Sequence, residues 1–110
     1  MKMHHFEWNR EFALEQAGDD EEMLGELLLL FRDSSGVDLA RMREALAKKD
    51  GAALADAAHS IKGASASLGV ERVRKMAGEI EKAGRQGDMV RSGTMLADLA
   101  DLLLDVDSLR

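Results

Sequence analysis

The chain has 110 residues, enough for one domain with a sizeable core, and a net charge of −6 with no basic run longer than two residues, which argues against a nucleic-acid footprint. Hydrophobic residues make up 45% and charged residues 33%, a balance that excludes a disordered chain. The absence of cysteine excludes disulfides, thiolate metal sites and a cysteine nucleophile.

The start, Met1-Lys2-Met3-His4-His5, lacks the apolar stretch of a secretory signal, and His4-His5 reads as a disordered terminus. Phe6, Trp8, Phe12, Ala13 and Leu14 then give a short amphipathic segment over about 7–16. It is too short to be stable alone, so its aromatic residues should pack on the rest as a lid. Gly18-Asp19-Asp20 ends it and offers an acidic N-cap to the next element, with Glu21 and Glu22 in the first turn.

Leu24, Leu28, Phe31, Leu39, Met42 and Leu46 recur at spacings of three, four or their sums. The register passes through Ser35 and Gly36 without slipping, which predicts one long helix over about 20–48. A kink at Ser34-Ser35-Gly36 is the alternative, since glycine costs a helix about 1 kcal/mol relative to alanine. Asp50-Gly51 marks a turn, and a third helix is expected over 51–68, stopped by Gly69 as a C′ glycine. Val70, Val73, Met76, Ala77 and Ile80 predict a fourth helix over 70–85. Gly87-Asp88 repeats the stop-and-cap signal, and Val90, Leu96, Leu99, Leu103 and Val106 predict a last helix over 88–107. The seven methionines fit core positions, and no strand pattern, internal repeat or linker is present. Four amphipathic helices joined by short turns predict an all-α, antiparallel up-and-down four-helix bundle with a short N-terminal capping helix, a single domain over 1–110. The longest apolar run, Leu27 to Phe31, is too short to span a membrane. A monomeric, cytoplasmic domain without membrane or nucleic-acid contacts is expected.

The third helix carries the chemistry. At about 100° per residue, Leu54, Ala58, Ile61 and Leu68 gather on one apolar side, and His59 falls about 140° from its middle, towards solvent. Around it stand Ala52, Ala55, Asp56, Lys62, Gly63 and Ala66, nearly all small. An exposed imidazole on a cleared face, with a cation one turn on, suits a nucleophile that a docking partner must reach. A neutral imidazole is competent near pH 7 because its reference pKa is about 6.5. Lys62 lies within reach of the same face as a mobile point charge, and large side chains at Gly63 or Ala66 would block a partner. Asp56-x-x-His59 has metal-ligand spacing, but such pairs must project inward, and both residues here project outward.

Ala58-His59-Ser60-Ile61-Lys62-Gly63, followed by Leu68-Gly69, resembles the signature of the histidine-containing phosphotransfer (HPt) domain, A-H-x-[IL]-K-G-x(4)-[ILV]-G. The resemblance spans almost the whole chain: the acidic start and Leu-rich run to Phe31 resemble the family's second helix. Met76 through Glu81-Lys82-Ala83, with Gly87-Asp88, is similar to its fourth helix and the turn after it.

The resemblance implies a phosphocarrier without an ATP site or cofactor, not an enzyme. His59 would accept a phosphoryl group from one receiver-domain aspartate and pass it to another, with Lys62 stabilising the phosphoryl charge. Its partners would be the receiver domains of a hybrid sensor kinase and a response regulator, with the divalent metal on the receiver. The resemblance also favours Nε2 of His59 as the phosphorylated nitrogen and makes Glu81 the residue that orients the ring. Ala55, Gly63, Ala66, Ser67 and Arg74 are the expected docking positions, and the basic cluster Arg72, Arg74 and Lys75 would steer an acidic receiver face. The alternative is a helical-bundle adaptor that binds a kinase or regulator without carrying phosphate. The initiator-like Met1 favours a stand-alone protein over a piece of a hybrid kinase.

Overall fold

The computed structural model describes residues 5–110. The expectation for His4 lies outside these residues, whereas His5 sets its ring edge-on to Phe6. From Arg10 onward the α-helices follow in order: α1 (Arg10–Gln16), α2 (Glu21–Ala47), α3 (Gly51–Ser67), α4 (Glu71–Arg85) and α5 (Met89–Leu104). A 3-10 turn over Val106–Leu109 closes the chain. Helices α2 to α5 pack in a ring, each against its sequence neighbours and α5 back against α2. The result is the up-and-down bundle, 42 × 23 × 18 Å.

The turn residues act as the sequence suggests. Asp20 Oδ1 accepts from the backbone N–H of Glu22 and Met23, Asp50 from Ala53, and Asp88 from Arg91, so three helices start on carboxylate caps. Gly69 ends α3 at φ +66°, where a Cβ would stand 2.9 Å from the Asn9 carbonyl oxygen. Helix α2 runs unbroken through Gly36.

Four expectations need correction. The first helix starts at Arg10 rather than near 7, because Trp8 forms an isolated antiparallel bridge with Val70 and Asn9 caps the helix by accepting from Phe12 N–H. The lid itself is present: Phe6 is fully buried, and the Trp8 indole donates to the Leu68 carbonyl at 3.0 Å. The last helix stops at Leu104, and Val106 and Leu109 reach the core from the 3-10 turn instead. The inward stripe of α2 is Leu24, Leu28, Phe31, Ser35, Asp38, Met42 and Ala45, with Leu39 and Leu46 only half-buried beside it. Two polar residues therefore occupy the middle of a helix face expected to be apolar. The methionines among the described residues divide: Met42 is fully buried, Met76, Met89 and Met95 are half-buried, and Met23 is exposed, while Met1 and Met3 lie outside the described residues.

Helices α3 and α4 make the closest pair in the bundle. Near the open end of this hairpin, a Cβ on Gly51 would stand 2.3 Å from the Gly84 carbonyl oxygen, and one on Gly84 would stand 3.5 Å from Ala55 Cβ. Such an approach needs two glycines. It brings the middle of α3 against the middle of α4, where the site lies.

Candidate functional site

His59 projects from α3 with its side chain 64% exposed, as the helical wheel predicts. Its Nδ1 lies 3.0 Å from Glu81 Oε2 on α4. Glu81 is sunk between the helices with its side chain 12% exposed, and its other oxygen takes Lys62 Nζ at 2.6 Å. Arg85, one turn on, reaches Oε2 at 3.2 Å. One carboxylate thus gathers an imidazole, an ammonium and a guanidinium.

The electrostatics follow from that arrangement. The hydrogen bond from Lys62 holds the Glu81 carboxyl below the ordinary glutamate value of 4.5, against the opposing effect of burial, with Arg85 and His59 adding to the downward shift. An ionised carboxylate can only accept hydrogen bonds. The contact with His59 therefore puts the proton on Nδ1, and in the neutral ring Nε2 is left with a free lone pair on the exposed edge.

The clearing around the ring is real, with one exception. Gly63 is exposed, and a Cβ there would meet nothing within 4 Å, so no packing inside the chain demands a glycine. Ala66 is half-buried, and Ser67 is exposed with its hydroxyl donating to the Gly63 carbonyl. Ala55 is fully buried against Gly84 and cannot be part of a docking surface. The wheel placed it beside His59, but the close α3–α4 approach covers that side of α3. Lys62 also differs from a freely mobile charge: its ammonium is engaged by Glu81, and its stem lies over Gly78, where a Cβ would stand 3.5 Å away.

The basic cluster after Gly69 is largely neutralised within the chain. Arg74 binds Glu71 through Nε and Nη2 at 3.0 and 2.6 Å, and Lys75 pairs with Glu7 at 3.0 Å, with Arg72 near the same carboxylate. Asp56 is exposed, and among the described residues no group of three or more His, Cys, Asp or Glu could hold a metal.

Sequence reasoning missed an apolar groove of about 430 Å³ between α1, α2 and α3, lined by Leu27, Leu30, Phe31, Ala64, Ser67 and Leu68 with Gln16 and Ser34. Leu30 is 64% exposed at its lip. Ala64 and Ser67 lie five and eight residues beyond His59 on α3, about 7 and 12 Å along the helix. The signal was present in Leu27, Leu29 and Leu30, which make the apolar stripe of α2 wider than one bundle interface needs. Arg85 was visible only as a neighbour of Glu81 at i+4.

A match to the Hpt domain model over residues 26–109 shows that the chain belongs to the Hpt domain family. Members of this family are phosphocarriers rather than enzymes with a catalytic site of their own, and they interact with receiver domains of two-component systems; a phosphotransfer role in a phosphorelay follows for this chain. Among solved structures, the chain is similar to histidine-containing phosphotransfer protein B (HptB) from Pseudomonas aeruginosa PAO1, with TM-score 0.85 and 24% identity over 94% of this chain and 90% of the other. It is also similar to the HPT domain of the Hpt sensor hybrid histidine kinase from Shewanella, with TM-score 0.76 and 28% identity over the same shares. No curated protein matches the chain. Among the described residues, no helix is long and apolar enough to cross a membrane.

Proposed function

We propose that His59 is the phosphoacceptor, taking a phosphoryl group on Nε2 from a receiver-domain aspartyl phosphate and passing it to the aspartate of another receiver. The 3.0 Å contact between His59 Nδ1 and the Glu81 carboxylate carries this reading, because it fixes the ring and leaves Nε2 as the exposed lone pair. In the forward step the Nε2 lone pair attacks phosphorus, the N–P bond forms, and the P–O bond breaks with the aspartate carboxylate as leaving group. The proton on Nδ1 stays in place. The ring gains positive charge as it attacks, and Glu81 lies where that charge is best compensated.

Lys62 then has two possible acceptors, Glu81 and the new phosphoryl oxygens, and divides its three N–H donors between them. Arg85 shares Glu81, so the carboxylate keeps a cation when Lys62 turns to the phosphoryl group. The receiver supplies the divalent metal and the remaining groups that stabilise the loose transition state. It docks over Gly63, Ala66 and Ser67, with its apolar contact in the groove beside Leu30 and with Arg74 at the rim. The shared helix supports this placement, since groove and histidine both present α3 to the partner. The protein acts as a cytoplasmic monomer between the receivers of a hybrid kinase and a response regulator.

The test is to mix the protein with a phosphorylated cognate receiver and assay for acid-labile, base-stable label. Label on the wild type and none on His59→Gln is expected. Equally little label on both would overturn the reading.

A further inference from the structure

The middle of α2 poses a problem that the Glu81 cluster does not answer. Asp38 sits in the inward stripe with 6% of its surface exposed, where the helical pattern calls for an apolar residue. One turn before it, Ser35 Oγ is buried with no hydrogen-bond partner among the described residues. Asp38 uses both oxygens: Oδ2 accepts from Ser60 Oγ at 2.6 Å and Oδ1 accepts from Arg41 at 2.9 Å. Ser60 is the residue after His59. Helix α3 is therefore held from both sides at one level, by Ser60 towards α2 and by His59 towards α4.

The composition of α3 gives this bond its weight. The buried residues of α3 are Leu54, Ala55, Ala57, Ala58, Ile61 and Ser65, so only two bring a large side chain to the core. Alanine methyls are small and their contacts non-directional, so they resist rotation of the helix about its axis only weakly. A side chain about 5–6 Å from a helix axis moves by about 1 Å when the helix turns by about 10°. That is enough to break a 3.0 Å hydrogen bond, and a 1 Å misplacement of a reacting group can cost about 100-fold in rate. A directional charged hydrogen bond one residue from the nucleophile removes this freedom.

We propose that Asp38 is a positioning residue for His59: through Ser60 Oγ it fixes the rotation of α3, so that Nδ1 meets Glu81 and Nε2 faces the partner. The buried Asp38 carboxylate, bonded to the exposed Ser60, serves aim rather than stability. The significance for phosphotransfer rests on His59 being the acceptor, whereas the aim of the ring is measurable without it.

The experiment compares wild type with Ser60→Ala, Ser60→Thr and the double variant Asp38→Ala/Ser60→Ala, which leaves no orphaned carboxylate in the core. Three readouts are taken: thermal melting, the His59 tautomer from imidazole nitrogen NMR of the free protein, and the rate of transfer from a phosphorylated receiver. Ser60→Ala and the double variant are expected to lose the Nδ1–H preference and to slow transfer roughly tenfold or more, with Ser60→Thr restoring both. If both variants keep the wild-type tautomer and rate while only their melting points move, Asp38 is merely structural and the proposal is wrong. If the wild type takes no label, the phosphoacceptor reading fails, and the tautomer alone decides whether Asp38 aims the ring.

Discussion

At the residue scale, the site is a competition for one carboxylate. Glu81 binds His59, Lys62 and Arg85 together, and its charge fixes which imidazole nitrogen is bare. Replacing Glu81 by alanine should slow phosphoryl transfer about 10–100-fold while leaving His59 exposed; transfer kinetics from a phosphorylated receiver check this. Lys62→Ala removes a charged hydrogen bond worth about 1.5–3 kcal/mol, so the phosphorylated form should lose its phosphoryl group faster by about tenfold or more. The pH behaviour has a definite sign. A glutamate whose folded pKa lies below its unfolded value contributes stability that is full above the unfolded value and is lost as pH falls through the folded one. Glu81 is such a group, so part of the bundle's stability should fade only below the ordinary value of 4.5. In denaturant melts at a series of pH values, Glu81→Gln should fall less steeply on the acid side than wild type. Glu44 and Glu71, also shifted downward by Lys48 and Arg74, titrate alike in both proteins. The sequence displays His59, Lys62 and Gly63 because one helix brings them together. Glu81 was reachable only through the family resemblance, since its contact with His59 spans 22 residues and depends on how two helices pack.

At the element scale, the α3–α4 hairpin aims the site, and its glycines divide by role. Gly51 and Gly84 are where the helices come closest, and Gly51→Ala forces a Cβ to 2.3 Å from a backbone oxygen. Overpacking of this kind typically costs about 1–3 kcal/mol, which thermal melting would register. Gly63 behaves in the opposite way, since open space surrounds it. Gly63→Ala should stabilise the protein by up to about 1 kcal/mol, the helix-propensity gain, whereas Gly63→Trp should melt close to wild type and transfer poorly. Gly51 reads in the sequence as a turn marker, and its second function was hidden because a close approach needs both partners to be known. The same limit explains Ala55: a wheel describes one helix, and the neighbour that buries this residue lies outside it. For α2 the register was legible through Ser35 and Gly36, but the expectation that core positions are apolar concealed Ser35 and Asp38 as inward residues. A carboxylate recurring at i+7 from Phe31 was the available signal.

At the scale of the whole molecule, the fold was legible almost entirely, because short capped turns between amphipathic helices leave few packings other than a ring of antiparallel neighbours. The groove was not, since it forms where three helices leave a gap and no single segment encodes it. Its wall includes Ala64 and Ser67 of the histidine helix, and Leu30 is exposed at its lip. Leu30→Glu should weaken receiver binding and slow transfer about tenfold or more, the scale of an interface anchor worth over 1 kcal/mol, with no loss of melting temperature. Small-molecule phosphorylation of His59, which needs no docking, should be unaffected. Phosphotransfer turns on one atom of one ring. Phosphorylating the protein with its receiver and locating phosphorus on the imidazole by ³¹P and ¹⁵N NMR tests it most directly. Phosphorus on Nε2 of His59, with the proton retained on Nδ1, is the predicted result; phosphorus on Nδ1, or on any residue other than His59, contradicts it.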